Sequence, residues 1–254
     1  MDATETTPNT DTTGRGIFRP RRTAHVNFWV EDVFEVVKFY NDVVGIEEVY
    51  RRPGLKGAFL SNGNTYHDTA LFDVDGPRKH PAKNGLHHFA VELETEAEMV
   101  EDFKKVAEFG YEFDFALSAD VAHSLYGHDP ERNRCEVYAD VKPNWRELRK
   151  GVVDEGVRNP PWEPGATEPV TGVCYPVDPE IVVVEDAVFH TERGSHPALI
   201  VDDMDVMYRH YNGLIGLTPM FGSSDDPFVF LAGSVGCECV SLFRKQPGWE
   251  AGYH

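Results

Sequence analysis

The sequence predicts an α+β protein made of repeated βαβββ units, two of them paired into one domain and a third without a partner in the chain. Three observations carry that reading. AHVNFWVEDVFEVVKFYNDVVGIEEVYR (24–51) returns as SHPALIVDDMDVMYRHYNGLIGLTPMFG (195–222), with Val, Asp, Tyr and Gly at +5, +7, +15 and +20 from the first His. Self-similarity over such a length means repeated supersecondary units. Within each copy, alternating apolar residues give way to helical spacing and then to short strand-like runs. A lone βαβββ unit also leaves one sheet face bare, so such units are expected in pairs.

Residues 1–20 are rich in Thr, Asp, Asn and Pro, with one apolar pair, Ile17-Phe18, and read as a disordered tail. His25–Val30 alternates as a half-buried strand. Asp32 then caps a helix whose apolar positions are Val33, Val36, Val37 and Tyr40, and Gly45 ends it in the left-handed conformation. Strands follow at 47–52, 58–62 and 67–74. A second unit starts at GLHHFAVELET (85–95), continues as a helix near 96–109 and closes with CEVYAD (135–140), so 21–140 is expected to be one two-unit domain. Residues 141–190 include NPPWEPG (159–165) and CYPVDPE (174–180) and read as an ordered connector packing Trp145 and Trp162. Residues 191–254 hold the third unit, with His196, Val201, Asp203, Tyr211 and Gly216 in the repeat positions. The sequence stops at PGWEAGYH (247–254), which resembles the approach to the second unit, KNGLHHF (83–89). The expectation is a fourth unit missing by truncation or loss. The alternative is a third unit that pairs with its counterpart in a homo-oligomer.

Composition narrows the function. The 254 residues carry 24 Lys+Arg against 43 Asp+Glu, a formal charge of −19. That charge repels phosphate backbones and anionic lipid, so no nucleic-acid or membrane partner is expected. No apolar run approaches a membrane span, and the N-terminus lacks the basic start and apolar stretch of a secretory signal. Cys135, Cys174, Cys237 and Cys239 suit neither a disulfide framework nor a zinc site. A reduced, cytoplasmic location is expected.

Repeated βαβββ units, a His on the first strand of each of two units (His25, His88) and a Glu on the last strand of the second (Glu136) resemble the vicinal oxygen chelate superfamily. Within it, the chain is most similar to the type I extradiol dioxygenases of the catechol 2,3-dioxygenase kind. The resemblance covers about 22–140 closely and 194–245 as a repeat. It implies that His25, His88 and Glu136 hold one divalent metal, Fe(II) or alternatively Mn(II), leaving adjacent positions for a diol and O2. His88 is preferred over His87 because its +5 residue, Leu93, matches Val30 after His25; alternation should turn His87 to the opposite face. His196 has the first-strand place in unit three without companions and reads as a relic of the repeat.

The resemblance also implies an acid–base His at the HD-apolar motif, which is His67 in YHDTALF, a residue type suited to moving protons near neutral pH. Tyr126, ten residues before Glu136, matches the family's active-site Tyr. Two positions depart from the pattern. The His expected at 117–119 is replaced by Leu117, Ser118 and Ala119, with His123 the nearest substitute as a catalytic residue; the turn glycine of Asp-Pro-x-Gly is Arg132. The implied activity is an Fe(II)-dependent extradiol ring cleavage, with O2 as co-substrate and a small aromatic diol as partner, in aromatic catabolism. A glyoxalase- or epimerase-like lyase or isomerase would need a fourth protein ligand. A ligand-sequestering module of the bleomycin-resistance type would need no metal site at all.

Overall fold

The computed structural model describes residues 16–77, 84–153 and 160–253. Unit one runs β1 (Arg22–Val30), α1 (Val33–Phe39), β2 (Glu47–Arg52), β3 (Gly57–Ser61) and β4 (Thr69–Asp73). Unit two runs β5 (Gly85–Glu92), α2 (Glu96–Phe103), β6 (Phe115–Ser118), β7 (Ala122–His128) and β8 (Arg134–Asp140). The connector contributes α3 (Trp145–Leu148) and β9 (Gly151–Val152). Unit three follows as β10 (Ala198–Val201), α4 (Met204–Tyr208), β11 (Thr218–Gly222), β12 (Phe228–Ala232) and β13 (Glu238–Arg244), then β14 (Gly252–Tyr253).

Asp32 does cap α1: its carboxylate accepts the N–H groups of Phe34 and Glu35. The helix then widens into a π-turn over Tyr40–Val44 and ends at Gly45, at φ 83°. Glycine is required here twice over, because a Cβ would also stand 2.1 Å from the Phe189 carbonyl oxygen. Its repeat partner Gly216 has φ 84°, and a Cβ there would meet the Phe18 carbonyl oxygen at 1.7 Å. Each repeat glycine therefore ends a helix and lets another segment of chain pass against it.

Units one and two form a single nine-stranded sheet in the order β6-β7-β8-β5-β1-β4-β3-β2-β9. In each unit the first strand pairs parallel with the last, β1 with β4 and β5 with β8, while β1 and β5 pair antiparallel. The strands predicted to carry the site thus lie together at the centre of the sheet. Unit three forms its own five-stranded sheet, β11-β12-β13-β10-β14. There β14 pairs with β10 through Ile200↔Gly252 and Leu199↔Tyr253. With His196 equivalent to His25, this is the register of Trp29↔Gly85 and Phe28↔Leu86 between β1 and β5.

Two expectations are corrected. Unit three is not without a partner in packing: Val201, Met207 and Leu242 share one buried core with Phe89, Val91 and Val137 on the outer face of unit two. Nor are residues 16–20 a loose tail. Phe18 is fully buried, its N–H donates to the Leu214 carbonyl at 3.1 Å, and Ile17 donates to Gly213 at 2.9 Å. The apolar pair had a burial site waiting on unit three; residues 1–15 lie outside the described residues. Phe18→Ala should cost about 3–5 kcal/mol, the usual range for deleting a buried ring. Urea unfolding reads this directly, and a loss below about 1 kcal/mol would mean that the segment is not held in solution.

The connector is ordered where described and lies along unit one: Asn62 donates from Nδ2 to Gly45 and Val182 carbonyls, and Phe189 N–H donates to Val43. Trp145 is buried. Among the described residues no helix is long and apolar enough to cross a membrane, and all four cysteines are free thiols.

Candidate metal centre and active site

Strand alternation puts His25, Asn27 and Trp29 of β1 on one face, where they line a cavity of about 410 Å3. Residue Ala90 of β5 is the pairing neighbour of both His25 on β1 and Glu136 on β8. Its small side chain leaves space for the imidazole and the carboxylate to meet. His88 joins from β5, and the three are almost wholly shielded from solvent.

Their donor atoms converge. His25 Nε2 lies 3.2 Å from His88 Nε2 and 3.1 Å from Glu136 Oε2, and His88 Nε2 lies 2.9 Å from the same oxygen. Among the described residues this is the group of ligating side chains whose donors all lie within 4.8 Å of one another. Two ligands about 2.1 Å from an octahedral ion and at right angles are about 3.0 Å apart, so the spacing is that of three ligands on one face. Without a cation, two imidazole nitrogens and a carboxylate oxygen crowd their lone pairs together, and Glu136 Oε1 has no partner within the protein. The donor set therefore fits a divalent ion bound by two nitrogens and one oxygen. Burial disfavours the Glu136 charge, yet the imidazoles of His25 and His88 hold its carboxyl well below the usual range. Burial pushes His88 down to about 4, against the pull of Glu136, so its imidazole is neutral at neutral pH.

His67 stands beside this group, buried, its ring centroid 4.1 Å from that of His25. Burial, and then His25, keep its pKa well below the ordinary histidine value. Tyr126 pairs across to Glu136 in the sheet, stacks on Phe115 at 4.9 Å and sets its ring 5.5 Å from His88. Both line the cavity.

Asn27 is a site residue that the sequence reading missed. Its Oδ1 accepts the Ala70 N–H at 2.7 Å, which fixes the amide orientation. Its Nδ2 then faces His88 Nε2 at 3.1 Å and His67 Nε2 at 3.3 Å. The available signal was its place two residues after His25 on one strand face. Since the Asn27 amide donates to His67 Nε2, that nitrogen bears the lone pair and Nδ1 the proton.

His87 and His123 differ from expectation. The β1–β5 register steps from Asn27↔His88 to Phe28↔Leu86 and skips His87, a β-bulge. The bulge turns His87 to the same cavity as His88, with its ring 4.7 Å from Trp29. His123 is three residues from Tyr126 on β7 and so points to the opposite face. There its Nδ1 lies 2.6 Å from Glu96 Oε1 and its ring stacks on Trp162 at 4.6 Å. Glu96 also accepts the Val170 N–H, so this cluster ties the connector to α2. His123 does not replace the missing family His; Leu117 and Ala119 line that part of the cavity instead. His123→Ala should leave metal stoichiometry unchanged and cost about 1–3 kcal/mol of stability, since it strands a buried carboxylate. Loss of metal binding in a folded His123→Ala protein would contradict this placement. In unit three, His196 meets Glu238 at 3.1 Å in a partly exposed pair.

Comparisons with known proteins bear on the fold and the family. Residues 22–137 match the model of the Glyoxalase/Bleomycin resistance protein/Dioxygenase superfamily. Biphenyl-2,3-diol 1,2-dioxygenase 3 of Rhodococcus globerulus is 30% identical over 122 residues, 47% of this chain and 63% of that protein. The Mn(II)-bound glyoxalase of Novosphingobium aromaticivorans superposes with a TM-score of 0.61 at 16% identity, over 92% of this chain and 64% of that one. The 2,3-dioxygenase LapB of Pseudomonas sp. KL28 gives 0.64 at 12% identity, over 94% and 74%. These two likenesses are of fold. The chain spans a little under two thirds of the length of the first two proteins.

Proposed function

We propose that the chain, whose residues 22–137 match the model of the Glyoxalase/Bleomycin resistance protein/Dioxygenase superfamily, is an Fe(II)-dependent extradiol dioxygenase that opens the ring of an aromatic diol with O2. The observation that carries this reading is the three-donor face of His25, His88 and Glu136, with 2.9–3.2 Å between donors, beside a cavity that also holds His67 and Tyr126. The named activity of the Rhodococcus relative, on an aromatic diol, supports it. His67 stands outside the three-donor group, where a lyase of this fold would need a fourth ligand.

An Fe(II) ion held by the three side chains would supply chelation of the diol and electron transfer to O2. The chain's own residues do the rest. Trp29, Phe59, Phe72 and Phe115 wall the cavity and keep water from a flat aromatic ring. Before the diol binds, the Asn27 amide donates to His67 Nε2 and orients that ring. Neutral His67 exchanges the Asn27 contact at its Nε2 lone pair for a diol hydroxyl, takes its proton and returns it as the ring opens. Tyr126 donates its hydroxyl hydrogen to charge developing on a substrate oxygen.

The test is anaerobic loading with Fe(II), addition of a panel of catechols, and admission of O2 while the yellow ring-fission product is followed. Yellow product at stoichiometric iron is expected. Full iron occupancy with no ring-opened product from any diol would overturn the reading.

A further inference from the structure

We propose that the diol this cavity takes carries an anionic side group, and that Arg149 is the residue that selects it; the inference rests on the diol reading above. The chain as a whole has 43 acidic against 24 basic residues, yet the cavity wall reverses that balance. Among the described residues Arg52, Arg134 and Arg149 line it, against the single carboxylate of Glu136 beside the lining His25 and His88. Arg149 carries the argument because its placement is the most fully accounted for.

Arg149 lies outside the βαβββ units, directly after α3, whose Trp145 is buried and accepts the Arg149 backbone N–H at 2.7 Å. Its side chain is only 5% exposed, although it ends in a cationic guanidinium with five N–H donors. Burial of a charge is costly unless a counter-charge is near. The guanidinium donates to the carbonyls of Ala119 and Leu148, and its nearest carboxylate is Asp120 at 3.8 Å. Asp120 is itself 48% exposed and bonded to Lys142. These contacts fix the fork in place and leave much of its charge uncompensated on the cavity side. They also put it behind Ala119, on the wall where the resemblance expected a histidine. A planar, fixed guanidinium suits a carboxylate, which it can engage through two parallel hydrogen bonds. At about 410 Å3 the cavity has space for a ring and a short acidic arm.

The experiment compares two diols of similar size, 3,4-dihydroxybenzoate and 4-methylcatechol, binding to the iron-loaded protein under nitrogen. Wild type should bind the carboxylate at least 10-fold more tightly. Arg149→Met should weaken the carboxylate about 10–100-fold and change the neutral diol less than about 3-fold, the range for one charge-assisted contact. Arg149→Lys should recover part of the loss, because it keeps the charge without the fork. Metal-free protein gives the same contrast without any iron, with benzoate preferred over benzyl alcohol. No preference in wild type, or equal losses for both ligands in Arg149→Met, overturns the proposal. Anion preference without ring opening would keep it and remove the dioxygenase reading; ring opening without anion preference would do the reverse.

Discussion

Glu136→Gln is expected to lower divalent-metal affinity by at least about 100-fold and to abolish ring opening while leaving the fold intact. Glu136 is the anionic member of the three-donor group and is fully buried, with one oxygen 3.1 Å from His25 Nε2 and 2.9 Å from His88 Nε2. Groups that merely orient metal ligands are worth 10–100-fold in affinity. Removing a ligand and its charge should cost at least as much. Metal content after dialysis, read beside the thermal midpoint of the metal-free protein, separates loss of metal from loss of fold. A folded Glu136→Gln that holds metal at wild-type affinity would remove Glu136 from the centre.

His67→Phe is expected to lower kcat about 100- to 10,000-fold with the metal retained, the range for loss of a positioned acid–base group. Retention of metal follows because His67 stands beside His25 without joining the three donors. The pH profile gives a second readout. Burial and the neighbouring His25 hold the His67 pKa well below the ordinary value, so the neutral base persists as pH falls through 6.5. The acid limb due to His67 should therefore lie below pH 6.5 in wild type and be absent in His67→Phe. A variant that loses metal together with activity would make His67 a ligand instead, which is the arrangement a lyase needs.

The repeat made most of the fold readable. Matching offsets from His25 and His196 to Gly45 and Gly216 located two strand–helix–strand turns and their glycines; the +5 apolar residue marked His88, and Glu136 came from the family resemblance. What escaped the sequence reading has physical causes. A one-residue bulge in β5 has no sequence mark here, so alternation mispredicted His87. His123 was legible: three residues from Tyr126 on one strand must face the other way. Phe18 was hidden by the polar composition around it, though an apolar pair in such a segment is itself a docking signal. Arg149 sits in a proline-rich stretch without periodicity, where no pattern could assign it a face. Unit three's partnership with unit two showed only as apolar residues alternating away from the site, at Phe89, Val91, Cys135 and Val137.

The central claim is that these side chains direct both atoms of O2 into a ring-opened diol. A single turnover of the iron-loaded protein under 18O2, with mass analysis of the product, tests it most directly. The account predicts a ring-opened acid carrying two heavy oxygens. Diol recovered unchanged, or a ring-opened product whose carboxylate carries no heavy oxygen, would contradict it; loss of the second label by exchange of the new carbonyl with water would not.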